Sequence, residues 1–323
     1  MTSTLTPGMR LGPYEIESII GQGGFGVTYK AFDVATSRVL AIKEYFPKAD
    51  AVRDEDGGVS VSSREHEQQF RHGLDRFYQE ARILARFDHP NIVKVYGTFP
   101  LLGTTYIAME YIPDLDLEKW ARQSGRAPTQ SEIEPFAAAL LDALDIIHRN
   151  ELLHRDLSPR NILLRPNGLP VIIDFGSARH AIGNVNLTTI VTPNYAPPEQ
   201  YSSQGQGPWT DIYGAAATMY RLIIGNAPVE APARITDEAL HVPAASAARG
   251  RYSPTFLEAI DWGLRVDPQD RPQMVQDWRR ALLMNERPSA RKIGLKTGIK
   301  APPDNRPLLR KLGELFDRRQ DIE

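Results

Sequence analysis

His154-Arg155-Asp156-Leu157-Ser158-Pro159-Arg160-Asn161, followed past the apolar strand Val171 to Ile173 by Asp174-Phe175-Gly176, is the stretch on which the reading of this chain turns. One loop gathers an acid, cationic side chains and an amide, and a second acid stands just beyond a strand. A hydroxyl that attacks a γ-phosphorus needs a carboxylate to orient it and accept its proton. It also needs a divalent cation to bridge the phosphate oxygens. Asp156 suits the first task. Asn161 and Asp174 suit the second, because magnesium prefers oxygen ligands.

Upstream, Gly21-Gln22-Gly23-Gly24-Phe25-Gly26 is a G-x-G-x-x-G. In a dinucleotide-binding unit the last glycine opens a helix. Here it runs into Val27-Thr28-Tyr29-Lys30-Ala31-Phe32, whose alternation and β-branching predict a strand. A glycine turn between antiparallel strands can fold over a triphosphate, since absent side chains let backbone N–H groups approach the oxygens. An ordinary glycine-rich hairpin is the other reading of that segment alone. Lys43 closes the apolar strand Leu40-Ala41-Ile42-Lys43, and its ammonium needs a carboxylate or a phosphate. Glu80 is the candidate partner, next to the helical face formed by Phe70, Leu74, Phe77, Ala81 and Leu84.

Working outward, residues 1–13 read as a flexible lead-in. Strands are expected at Tyr14 to Ile20, Val27 to Phe32, Arg38 to Lys43, Ile92 to Phe99 and Thr105 to Tyr111, and a helix at Glu65 to Phe87. From Leu115 the pattern turns helical, most clearly at Glu132 to Arg149. Separated blocks of strand and helix predict an α+β chain with a small sheet lobe and a larger helical lobe. Beyond Asn285, Arg287, Arg291, Lys292, Lys296 and Lys300 are spread among Gly, Pro and Ser, and Leu308, Leu312, Leu315 and Phe316 suggest one short amphipathic helix. That basic tail reads either as a docking or membrane-surface segment or as a solvated tail packed on its own domain.

Composition excludes several classes. The 323 residues carry 41% hydrophobic and 24% charged side chains with a net charge of −2, enough apolar content for a core and no charge excess to draw the chain onto nucleic acid or a membrane. There is no cysteine, which removes thiol nucleophiles, disulfides and cysteine-held metals. No apolar run approaches the roughly 20 residues that span a bilayer, and no signal-like stretch opens the chain, so a cytoplasmic location is expected.

With these motifs in this order, the sequence resembles the eukaryotic-type (Hanks-type) protein kinase family, in particular its bacterial serine/threonine-kinase-like members, over about Tyr14 to Leu283. The resemblance implies a bilobal α+β kinase fold. It places a small antiparallel lobe with one mobile helix at 14–112, a mostly helical lobe at 113–283, and a tail at 284–323. It implies ATP with Mg²⁺, or alternatively Mn²⁺, as cofactors. Gly21, Gln22, Gly23, Gly24, Phe25 and Gly26 would cover the phosphates. Lys43 would contact the α- and β-phosphates with Glu80 as its ion-pair partner. Ile20, Thr28, Ala41 and Leu163 would contact the adenine, with Met109 as gatekeeper, Glu110 to Ile112 as the hinge and Asp116 on the ribose. Asp156 would be the catalytic base, and Asn161 and Asp174 the metal ligands. The resemblance extends to Thr192, Glu199, Asp211 and Arg271 as landmarks of the second lobe, and to Val95, Leu84, Phe175 and His154 as an apolar spine.

Departures from the family pattern carry their own expectations. Ser158 stands where most serine/threonine kinases place a lysine, and Arg160 two residues later is expected to serve that charge. Thr28 replaces a usual valine, Val191 a usual glycine and Pro197 a usual alanine. Lys43 and Glu80 are 37 positions apart, against a family gap of roughly 20. The insertion between them opens with Glu44-Tyr45-Phe46-Pro47 and reads either as a regulatory or partner surface or as a tolerated loop. The implied activity is phosphorylation of protein serine and threonine hydroxyls, with autophosphorylation at Thr188 or Thr189 and Arg155 as the phosphate's partner. A pseudokinase scaffold and a small-molecule kinase are the rival readings.

Overall fold

The computed structural model describes residues 4–113, 115–175, 179–180, 191–202, 205–284 and 286. Gly176, Thr188, Thr189 and the helix expected at Leu308 to Phe316 lie outside the described residues. The chain divides into two compact units, Met1–Asp114 and Leu115–Glu323.

In chain order the first unit contains β1 (Arg10–Leu11), β2 (Tyr14–Gln22), β3 (Gly26–Asp33), β4 (Arg38–Tyr45), a small hairpin of β5 (Ala51–Arg53) and β6 (Val59–Val61), α1 (Glu67–Leu84), β7 (Val95–Leu101) and β8 (Thr104–Glu110). Six of these strands form one antiparallel sheet in the order β1-β2-β3-β4-β8-β7. Strand pleating sends alternate residues to opposite faces. One face gathers Val27, Tyr29 and Ala31 of β3, Leu40 and Ile42 of β4, and Tyr106 and Ala108 of β8 into a core with Leu5, Leu11 and Ile16. Register puts Thr28 opposite Lys43, and Ala41 opposite Met109, on the other face.

The expected flexible lead-in is instead built into this core from Leu5 onward. Leu5 and Leu11 are fully buried, β1 pairs with β2, and the Leu5 N–H donates to the Tyr29 hydroxyl at 3.1 Å. Two leucines filling an apolar face outweigh the flexibility of the glycines around them. The strand expected from Ile92 begins at Val95. Ile92 and Val93 are buried, but the Ile92 N–H closes a turn on the His89 carbonyl.

The insertion after Lys43 is anchored through charge. Glu44, on the core face of β4, is wholly buried. Its carboxylate accepts from Tyr29 Oη at 2.8 Å, Tyr106 Oη at 2.7 Å and the Arg53 guanidinium at 2.6 Å. Burial, reinforced by the Glu44 charge, pushes both tyrosine hydroxyls above their ordinary range, so they stay protonated as donors. Arg53 also donates to the Gly57 carbonyl at 2.8 Å and lies 4.7 Å over the Phe46 ring. From β6, the Val59 N–H donates to the Leu102 carbonyl at 2.7 Å, which ties the hairpin to the β7–β8 turn.

The second unit comprises α2 (Leu117–Gln123), α3 (Gln130–Arg149), β9 (Leu152–Leu153), β10 (Ile162–Leu164), β11 (Pro170–Ile172), β12 (Arg179–His180), α4 (Pro198–Ser202), α5 (Pro208–Ile224), α6 (Ala231–Thr236), α7 (Ala244–Ala247), α8 (Pro254–Gly263) and α9 (Val275–Leu283). Thr129 and Glu132 form a capping box that starts α3 two residues ahead of the expected Glu132. Helix α5 is buried on nearly every side and is the centre of this unit. Arg271 meets Glu199 in a fully buried bidentate pair at 2.7 and 2.9 Å, and its remaining donors go to the carbonyls of Trp209, Arg265 and Val266.

Removing one member of a buried ion pair leaves the other uncompensated. Arg53→Met is therefore expected to destabilise the first unit by about 3–5 kcal/mol in urea denaturation, and the double variant Glu44→Gln/Arg53→Met to recover at least half of that loss. An unchanged midpoint for Arg53→Met would show that the insertion is not anchored by this pair.

Candidate active site

The first unit sets out one group of chemistry on the α1-facing side of its sheet. Lys43 Nζ meets Glu80 Oε1 at 2.9 Å, with Glu80 nearly buried on α1 and the ammonium 5.8 Å from the Phe77 ring centroid. The glycine loop is the turn between β2 and β3, closed by the Gly23 N–H on the Gly26 carbonyl at 2.9 Å. A Cβ on Gly26 would overlap the Glu44 carbonyl oxygen, so the fold itself requires that glycine. Gly23 and Gly24 meet no such obstacle, and Gly21 would make only ordinary contact with Thr28. The loop tip is also held from below, the Phe46 N–H donating to the Phe25 carbonyl at 3.0 Å and the Lys48 N–H to the Gly24 carbonyl at 3.1 Å. Ala41 is buried on β4, while Ile20, Thr28 and Met109 are half-buried and Phe25 is exposed. Glu110 ends β8, with its N–H on the Lys94 carbonyl at 2.8 Å, and Ile112 is buried just beyond it.

The second unit carries the acid loop. Asp156 Oδ1 accepts from the Thr192 hydroxyl at 2.6 Å and Oδ2 from Asn161 Nδ2 at 2.8 Å; the same amide nitrogen donates to the Asp156 carbonyl at 2.8 Å. Burial pushes the Asp156 carboxyl above the usual range and the Asp174 charge adds to this, against the lowering effect of Thr192, His154 and Asn161. Asn161 precedes β10 and Asp174 follows β11. Antiparallel pairing of Ile162 with Ile172, and the Ile173 N–H on the Asn161 carbonyl at 3.0 Å, bring the two ends together. With its nitrogen consumed by Asp156, Asn161 has an amide oxygen left to offer a cation. Asp174 is exposed and holds a left-handed φ of 62°. Among the described residues no group of three or more His, Cys, Asp or Glu could hold a metal. The pair nevertheless suits Mg²⁺, which commonly takes one or two protein oxygens and completes its shell from phosphates and water. Arg160 is exposed in the 3₁₀ turn Pro159–Asn161. Asp116 caps α2, accepting from the Lys119 N–H at 2.7 Å, and forms an isolated bridge with Leu163 of β10.

The ordered motifs thus sit on a six-stranded sheet unit and a helical unit, and the protein kinase domain family matches residues 14–281. The chain belongs to the protein kinase family. Among curated kinases, it is 30% identical over 277 residues to the serine/threonine-protein kinase PksC of Streptomyces coelicolor, covering 80% of this chain and 46% of that one. It is 28% identical over 304 residues to the serine/threonine-protein kinase PknB of Mycobacterium tuberculosis, covering 89% and 46%. The chain therefore spans just under half the length of these relatives. Among solved structures, the apo form of PpkA-294 superimposes with a TM-score of 0.78 at 32% identity, covering 87% of this chain and all of the other.

Within this kinase domain, the support beneath Asp156 was only partly legible. Asp211 was expected as an anchor, and it accepts from the backbone N–H of His154 at 2.9 Å and of Arg155 at 2.7 Å. Its other contact, His148 Nε2 at 2.8 Å, was not read from sequence, since a lone histidine near the end of α3 carries no motif. Burial alone would raise the Asp211 carboxyl, but the hydrogen bond and charge of His148, with His154 and the Arg155 N–H, hold it below its usual range. The His154 ring lies 4.7 Å from Phe175; its Nδ1 is 3.3 Å from the Asp156 amide nitrogen and its Nε2 3.2 Å from the Ile173 carbonyl. Gly214 is the position on α5 where a Cβ would come within 2.9 Å of the Leu157 carbonyl, so its absence lets the loop lie against the helix.

Asp211→Ala would strand two buried amide donors beside Arg155, itself at φ 69°. A loss of about 3–5 kcal/mol in urea denaturation is expected, with a smaller loss for Asp211→Asn, which keeps one acceptor. Equal losses in the two variants would mean that the amides find other partners.

Proposed function

We propose that this chain transfers the γ-phosphoryl group of ATP to serine and threonine hydroxyls of proteins. The observation that carries the reading is the Asp156 carboxylate, held at one oxygen by the Thr192 hydroxyl and at the other by the Asn161 amide, with the Asp174 loop end beside it. In this reading Asp156 orients the acceptor hydroxyl and takes its proton, and the raised affinity that burial gives it for a proton favours that step. Asn161 and Asp174 would hold Mg²⁺, or Mn²⁺ in its place, and the cation when bound would neutralise charge on the phosphate oxygens. Lys43, kept in place by Glu80, would contact the α- and β-phosphates.

Gly21, Gly23 and Gly24 support a phosphate-covering role for their loop, because the protein's own packing gives no reason to exclude a side chain there. Thr28, Ala41, Ile20, Met109, Leu163 and the Glu110 to Ile112 backbone are proposed for the adenine, and Asp116 for the ribose. The Asp116 carboxylate already caps α2, so that role would have to share its second oxygen. The contact of Thr192 with Asp156 favours serine and threonine acceptors, and the names of the curated relatives point the same way. Phosphate on Thr188 or Thr189, paired with Arg155, is the proposed self-activation. No described helix is long and apolar enough to cross a membrane; a cytoplasmic site of action and a docking role for the tail are part of the same proposal.

Incubation with ATP and Mg²⁺ is expected to give phosphoserine and phosphothreonine, including phosphate at Thr188 or Thr189 by mass spectrometry, all absent from Asp156→Asn. Exclusive phosphotyrosine would overturn the acceptor class. Product unaffected by Asp156→Asn would overturn the reaction itself. Arg160→Ala is expected to slow phosphotransfer on the order of tenfold or more by removing charge from the transferred group, and a rate within about twofold of wild type would remove Arg160 from the mechanism.

A further inference from the structure

Strand β4 ends on three residues that alternate across the sheet: Lys43 and Tyr45 face α1, while Glu44 faces the opposite core. Tyr45 is buried, its ring 5.2 Å from Phe70 and 5.7 Å from Phe77, and its hydroxyl donates to the Phe70 carbonyl at 3.2 Å. Both phenylalanines belong to α1, the helix that carries Glu80. Where the Tyr45 hydroxyl crosses α1, the helix has a glycine. A Cβ on Gly73 would overlap the hydroxyl oxygen and stand 2.7 Å from Cζ and 3.1 Å from Cε2. Glycine inside a helix is destabilising relative to alanine, so this notch works against α1 unless the close approach compensates. Phe70, Gly73, Phe77 and Glu80 recur at three- and four-residue steps, so the notch and the ion-pair glutamate lie on one stripe.

The other end of the contact is equally constrained. Glu44, next to Tyr45, is fastened to Arg53, Tyr29 and Tyr106, and the Tyr45 carbonyl accepts from the Thr104 hydroxyl at 2.6 Å. Tyr45 is therefore rigid from the sheet side and keyed into the helix on the other.

We propose that Tyr45 is a positioning residue: seated in the Gly73 notch, it sets the height of α1 over the sheet so that Glu80 reaches Lys43. The catalytic consequence rests on the phosphotransfer reading above; the effect on the Lys43–Glu80 pair does not.

The test uses the full chain with Gly73→Ala, Tyr45→Leu, Tyr45→Phe and the double variant Tyr45→Phe/Gly73→Ala. It has two readouts: kcat and KM for ATP and Mg²⁺, and the rate at which acetic anhydride acylates Lys43, followed by mass spectrometry. A displacement of about 1 Å is enough to cost on the order of 10²-fold in rate. Gly73→Ala and Tyr45→Leu are expected to lower kcat on the order of tenfold or more and to speed Lys43 acylation several-fold, as the ammonium leaves Glu80. Tyr45→Phe keeps the ring and should stay within about twofold on both readouts. It removes the overlapping oxygen and leaves the Cζ contact at 2.7 Å, so it should restore part of what Gly73→Ala loses, a rescue that loss of general stability does not produce. Wild-type acylation in Gly73→Ala and Tyr45→Leu, or a Gly73→Ala defect untouched by Tyr45→Phe, overturns the proposal. If Gly73→Ala does not fold, Tyr45→Leu against Tyr45→Phe decides by the same readouts. A wild type that acylates as expected but transfers no phosphate overturns the phosphotransfer reading alone.

Discussion

A carboxylate taken out of water must be met by donors, and Glu44, Asp211 and Glu199 are such groups, each joining segments far apart in sequence. Glu44 collects two tyrosine hydroxyls from the sheet and a guanidinium from the insertion. Asp211 collects two backbone amides of the acid loop and a histidine from α3. Glu199 collects the guanidinium of Arg271 and the Thr210 hydroxyl at 3.0 Å. None of the three lies among the groups assigned to chemistry. Each takes donors that would otherwise be unsatisfied, so the cost of removing one partner is the stranding of several others.

This division of labour explains how exposed, strained chemistry is held still. Arg155 and Asp174 adopt left-handed backbone conformations that side chains rarely favour, on either side of the loop pair that carries Asp156 and Asn161. Such conformations persist only where the surroundings over-determine them. Asp211 fastens the Arg155 amide and Gln200 its carbonyl, while the β10–β11 pairing fixes the approach to Asp174. In the first unit the pleat of β4 does comparable work. Consecutive residues place an ammonium towards α1, a carboxylate into the core and an aromatic ring against α1 again, so anchoring one residue orients its neighbours.

Much of this architecture is local enough to be read from the chain. Alternation in Val27 to Phe32 and in β4, the three- and four-residue spacing of Phe70, Phe77, Ala81 and Leu84, and the acid at the start of α3 each encode an element, because side-chain direction follows backbone period. The differences arise where burial and local pattern diverge. Ile92 and Val93 are apolar and β-branched, yet they fill space from a turn, and Leu5 and Leu11 enter the core from a stretch whose composition reads as loose. Hydrophobicity reports that a residue leaves water and not which backbone partner it finds.

The sequence by itself determined the family, the two-part organisation and the candidate reactive groups, since Asp156, Asn161, Asp174, Lys43 and the glycine run are recognisable by type and order along the chain. Only the tertiary structure decided what the insertion after Lys43 is: a hairpin whose Arg53 reaches Glu44, and a Tyr45 that fits a missing side chain at Gly73. The physical reason is that a buried charge and a steric notch acquire meaning only from their partner. Arginine at 53 and glycine at 73 look like a loop cation and a weak point in a helix until the fold brings each against its complement.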